Sequence, residues 1–192
     1  MTVLVIGLLL FLGVHSVRVF ADGWRGAQLA RLGEGAWKGG YSLVSAIGLG
    51  LVVWGYGLSR GVPVELWSPP TWTRHLAAAL TVPAFVLLAA AYVPGNRIRA
   101  AVGHPMVLGV KLWALAHLLA NGRLGDLLLF GGFLAWAVAL YAASRRRDRR
   151  AGTRYATGPA SRDAIAVVAG LVAWAAFAFG LHGALIGVRP FG

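Results

Sequence analysis

Histidine carries most of the chemistry available to this 192-residue chain. Of the five, His15, His104, His117 and His182 fall inside or at the ends of long apolar runs, and His75 stands at the entrance of another. The stretch GHPMVLGVKLWALAHLLANG, residues 103–122, holds His104, Lys111 and His117 in one run apolar enough to enter a bilayer. Ionisable groups are expensive there and are kept for a function. There is no cysteine, which removes disulfides, thiolate ligands and thiol nucleophiles. Asp22, Asp126 and Asp163 sit at the edges of apolar runs rather than deep within them. That distribution argues against a carboxylate-bridged dinuclear centre and against a carboxylate proton path. The H-E-x-x-H pattern of zinc hydrolases is missing as well. What remains is imidazole in dry, aromatic-rich surroundings, an inventory that suits haem iron, which neutral histidine alone can hold.

Spacing assigns the histidines to separate tasks. His104 and His117 are 13 residues apart, roughly 20 Å along a helix and about 140° around it, so the two cannot ligate one iron. His104 precedes Pro105, which fits the first position of a helix, and reads either as a capping or interfacial residue or as a ligand. His117 lies one turn beyond Trp113 and reads as a ligand or as an interhelical hydrogen-bonding group. Arg18, one turn past His15, has two compatible partners: a haem propionate, or Asp22 at i+4. Lys111 has no acidic partner in its run and is read as snorkelling, as lining a polar cavity, or as reaching a propionate. His75, beside Arg74, reads as interfacial. Asn121 is placed to cap the C-terminus of the fourth run.

The elements that must position these groups are long apolar helices. The chain is 58% hydrophobic and 12% charged, with eight tryptophans and a mean hydropathy of +0.71. Six apolar runs, at about 2–21, 40–58, 72–93, 105–121, 125–143 and 163–187, suit a hydrocarbon core about 30 Å thick. The absence of a repeating ten-residue alternation favours helices over a barrel. The expected fold is all-α: a polytopic membrane protein, a six-transmembrane-helix bundle forming a single integral membrane domain over residues 1–192. Two polar connections stand out. Residues 22–39 read as a cytoplasmic interfacial connection with Trp24 and basic anchors, and residues 144–162 as an Arg-rich cytoplasmic loop. The net charge of +12 falls mostly between apolar runs, so it reads as a topology signal and no nucleic-acid partner is expected. Arg25, Arg31, Lys38, Arg97, Arg99 and seven arginines between residues 145 and 162 lie on one side, against Arg60, Arg74, Arg123 and Arg189 on the other. Twelve against four puts both termini on the non-cytoplasmic side.

The GHPM…K…W…AH…NG pattern, together with GVHSVRVFADGWR in the first run, resembles the NnrU family of bacterial membrane proteins over essentially the whole chain. That family is associated with denitrification and nitric oxide metabolism, and it is similar to the zeta-carotene isomerase family. The resemblance implies a bacterial inner-membrane location and a b-type haem. By matching the isomerase's HS and AH motifs it implies axial ligation by His15 and His117. The segment GYGLSRG carries Arg60 where the isomerase has a further histidine. His182, closer to His117 in expected depth, is the rival second ligand; an arrangement of two haems would add His15 and His104 as ligands on the other side. The functions implied are electron transfer, haem handling or gas sensing, with a redox partner. The alternative is haem-dependent isomerisation of a long apolar small molecule. A membrane methyltransferase, suggested by His-Pro before a glycine-spaced helix, and a non-catalytic assembly factor rank lower. Beyond haem, membrane lipid is the expected partner.

Overall fold

The structure, a computed structural model, describes residues 1–191. Each apolar run is helical: α1 (Thr2–Phe20), α2 (Asp22–Gly61), α3 (Trp72–Tyr92), α4 (Arg97–Val102), α5 (Pro105–Ala120), α6 (Leu124–Ala151), α7 (Ala160–Ala176), then a π-helical turn (Phe177–Leu181) and α8 (His182–Ile186). Among the described residues the only β-type pairing is an isolated bridge between Glu65 and Arg123.

Five helical segments are long and apolar enough to cross a membrane, one fewer than the sequence suggests. The exception is α5, the run that holds Lys111 and His117. At 16 residues it is about 24 Å long, short of a core about 30 Å thick. Both of its ends are fixed by local chemistry. At the front, Gly103 adopts φ +77, a left-handed conformation that favours glycine, and His104 and Pro105 restart the helix from there. At the back, Asn121 leaves helical geometry at φ −131, ψ 140, and its side chain donates to the His117 carbonyl at 2.8 Å.

The two polar connections are largely helical. Residues 22–39 belong to α2, which is interrupted only at Gly33, with φ 80 and ψ 161; Trp24 and Trp37 pack edge-on across that break, 5.6 Å between centroids. The Arg-rich segment expected as a loop is helix up to Ala151 and again from Ala160, which leaves residues 152–159 as the true connection.

The chain divides into two compact units. One comprises residues 1–68 and 122–140; the other comprises residues 69–121 and 141 onward. In the first, α1 lies against α2 where glycines let the backbones approach: a Cβ on Gly48 would meet the Phe11 backbone nitrogen at 2.7 Å, and one on Gly55 would collide with the Leu4 backbone. Such small-residue contacts substitute for hydrophobic driving force when helices associate in lipid. Leu4, Leu8, Val52, Leu129 and Phe130 fill the core. Asp126, buried at the start of α6, accepts from the Tyr56 hydroxyl at 2.7 Å and from the Arg123 backbone N–H at 3.2 Å, so its carboxylate serves as a first-turn cap.

In the second unit α3 packs on α5 and α7. Gly109 of α5 approaches Ala84, and Gly170 of α7 approaches Val86. The Trp174 indole donates to the Thr81 hydroxyl at 3.0 Å. Asn96 is fully buried and joins α3 to α4: its amide donates to the Ala90 and Val93 carbonyls, and its oxygen accepts from the Arg99 N–H at 2.7 Å.

Candidate functional site

Three imidazoles share one local arrangement. His15 Nδ1 is 2.6 Å from the Phe11 carbonyl, His117 Nδ1 is 2.8 Å from the Trp113 carbonyl, and His182 Nδ1 is 2.6 Å from the Val188 carbonyl. A carbonyl only accepts, so each Nδ1 carries a hydrogen, which leaves Nε2 as the position for the lone pair in the neutral form of each ring. For His15 and His117 the acceptor is the carbonyl one helical turn back, which the apolar helix itself provides. A metal-binding histidine commonly has its other ring nitrogen anchored in this way, its N–H donating to a carbonyl that fixes the tautomer and the ring orientation.

His117 and His182 come together in the second unit. Their ring centroids are 6.5 Å apart and the planes differ by 22°. Trp113 tilts against His117 at 5.1 Å, and Phe177 stands edge-on to His182 at 5.7 Å. The π-helical turn immediately before His182 holds an extra residue relative to an α-helical turn and so re-aims the side chains that follow it; such turns recur at functional sites.

His15 belongs to the first unit, among aromatic rings. Phe11 lies 4.4 Å away, Tyr41 5.3 Å and Trp136 6.1 Å, the last two edge-on. The Trp136 Nε1–H is buried and has no acceptor among the described residues, a state that costs about 1–3 kcal/mol unless an acceptor is supplied. Arg18, one turn on, pairs with Asp22 at 3.6 Å, and both side chains are about half exposed. An apolar groove of about 620 Å³ runs along α1, lined by Leu8, Leu12 and Ser16 with Leu128 and Gly132 of α6.

His104 occupies a different cluster, at the basic end of the second unit. Its Nε2 is 2.9 Å from Asp148 Oδ2. The Tyr155 hydroxyl donates to the same oxygen at 2.9 Å, and Arg145 is 3.8 Å from it. Burial first, and then the hydrogen bond to Asp148, push the Tyr155 phenol above its ordinary range and keep it a donor. Arg99 covers the Tyr155 ring at 5.9 Å. Tyr141 donates to the Val102 carbonyl at 2.8 Å, and its ring faces both His104, at 6.4 Å, and the Lys111 ammonium, at 6.0 Å. His104 makes no side-chain cap to α5; it ties the α4–α5 junction to the far end of α6. His75 is exposed near the start of α3.

The spacing that separates His104 from His117 therefore corresponds to two clusters, and Lys111 belongs with His104 through Tyr141. Asp148, Tyr155 and Trp136 escape a sequence reading. Asp148 is hidden because an acid in an arginine run looks like solvated surface; the signal is that it is the sole acid among the charges of residues 145–150. No curated protein and no solved structure matches the chain. A family model described as NnrU protein matches residues 3–190, nearly the full length, and the chain belongs to the NnrU family.

Proposed function

We propose that this chain is a membrane protein that binds haem b, which His117 and His182 would hold, and serves nitric oxide or denitrification physiology. The observation that carries the reading is the 6.5 Å separation of the two rings. Each ring is also anchored through Nδ1 to a backbone carbonyl, of Trp113 and Val188 respectively, so both are held near one another in fixed orientations. Among the described residues no group of three histidines or acids could hold a metal ion by itself. A pair of imidazoles fits an ion whose other positions are filled by a macrocycle. Bound haem would supply one-electron chemistry at the iron. The chain's part is to fix the ring orientations: the Trp113 and Val188 carbonyls accept from Nδ1 and so set the tautomers. Membership of the NnrU family supports the physiological direction, as electron carrier, haem handler or gas sensor.

His15 is the second ligand that the resemblance implies, and its carbonyl-anchored ring and the unsatisfied Trp136 N–H suit a haem site equally well. Single His117→Ala, His182→Ala and His15→Ala proteins, purified from haem-replete cells, separate the pairings. We expect the first two to lose haem and the third to keep it. Retention in His182→Ala with loss in His15→Ala would transfer the second ligand to His15, and retention in His117→Ala would end the assignment.

A second reading, haem-dependent isomerisation of a long apolar molecule, is favoured by the apolar groove along α1. Arg60, standing where the isomerase has a histidine, ranks it below the first.

A further inference from the structure

The arginines of SRRRDRR are sorted by the fold into two sets. Arg145 faces Asp148 at 3.8 Å, and Arg147 donates to the buried Ser144 hydroxyl at 2.8 Å, so these two are engaged with the protein. Arg146, Arg149 and Arg150, related as i, i+3 and i+4, are exposed and together line a recess of about 340 Å³. Among the described residues the guanidinium groups of these three make no hydrogen bond or ion pair. The only nearby acid in the run, Asp148, already accepts from His104 and Tyr155 at 2.9 Å each, so it is not available to neutralise them. Like charges at i, i+3 and i+4 oppose helix formation. The segment is helical nonetheless, with Arg149 and Arg150 in the last turn, where the helix dipole favours cations.

We infer that Arg146, Arg149 and Arg150 form a binding site for the phosphate headgroup of an anionic phospholipid. The inference rests on the membrane reading of the chain. Two features argue for lipid. Guanidinium groups pair with phosphate oxygens bidentately, and three exposed arginines without a carboxylate need an anion of more than one charge-bearing oxygen. The same uninterrupted helix is apolar from Leu127 to Leu140, which sets the three side chains about two to three turns beyond that apolar stretch, at headgroup level. Basic residues immediately outside a span attract anionic lipid by about 1 kcal/mol each.

The test uses the full-length protein in detergent, with thermal unfolding followed by tryptophan fluorescence. Phosphatidylglycerol, phosphatidylcholine and inorganic phosphate are titrated into wild type and into Arg146→Gln/Arg149→Gln/Arg150→Gln. A control of equal charge change at exposed arginines elsewhere, Arg74→Gln/Arg123→Gln/Arg154→Gln, runs beside them. Phosphatidylglycerol should stabilise wild type and the control, and its apparent affinity should fall on the order of a hundredfold in the recess variant. Phosphatidylcholine and inorganic phosphate should do little to any of them. An equal response of the recess variant and wild type to phosphatidylglycerol would overturn the site, and inorganic phosphate matching phosphatidylglycerol would reassign it to a soluble anion. Should the triple variant fail to fold, Arg149→Gln alone, read by the number of phosphatidylglycerol molecules retained in native mass spectrometry, gives the same decision: retention equal to wild type rejects the proposal. Failure of the membrane reading itself would show separately, as protein released from membranes by alkaline wash.

Discussion

Asp148 shows how much a single side chain can organise where few acids exist. One of its oxygens serves His104, Tyr155 and Arg145, and through them it fastens the α4–α5 junction to the end of α6. Asp148→Asn keeps the size but removes the charge that makes these hydrogen bonds strong. We expect a loss of about 1–3 kcal/mol in stability, read as a lower unfolding temperature in detergent, with His104→Ala adding little further because both changes break the same contact. Independent, additive losses would contradict the coupling. At this scale the histidines were legible in the sequence and Asp148 was not. An imidazole in an apolar run is conspicuous because lipid penalises it, whereas a carboxylate among arginines looks like ordinary solvated surface until the chain folds back on it. Trp136 was equally hidden, since tryptophan is expected in an apolar helix and only the surrounding rings deprive its N–H of an acceptor.

Among the elements, helix positions followed from apolar runs, while helix lengths did not. Hydropathy detects the part of a helix that lipid would cover; it does not see α6 continue through arginine and alanine, both good helix formers, to Ala151. The reverse error affects α5. Its run is apolar over a span's length, yet Gly103 and Asn121 restrict the helix to 16 residues. The α1–α2 contact rests on glycines whose Cβ atoms would enter a neighbouring backbone. Gly55→Leu should therefore destabilise the first unit by at least about 1–3 kcal/mol, since overpacking there cannot be relieved by a rotamer change. Gly57→Leu, with nothing within 4 Å of its Cβ position, should be nearly neutral. Comparable unfolding temperatures for the two variants would contradict the packing described.

For the molecule as a whole, topology turns on α5. The Arg97–Arg99 and Arg-rich segments meet in the second unit, where Arg99 lies over Tyr155 and the Gly158 N–H donates to the Gly95 carbonyl at 2.6 Å, as expected if both basic segments lie on one side of a membrane. If α5 crosses despite its length, with the bilayer thinned locally, reporters fused to the N- and C-termini should both be active on the non-cytoplasmic side. Opposite locations would mean that α5 does not cross. Family membership and an all-helical fold were recoverable from the GHPM…AH…NG pattern and the apolar runs, but the proximity of His117 to His182, 65 positions apart, is a tertiary fact that no local pattern encodes. The claim on which the functional reading depends is that these imidazoles hold iron. Its most direct test is the absorption spectrum, with haem-to-protein ratio, of wild-type protein purified in detergent from haem-replete cells: a Soret band with the sharp reduced α-band of bis-imidazole ligation is expected, and protein with no Soret absorbance and no extractable haem would contradict it.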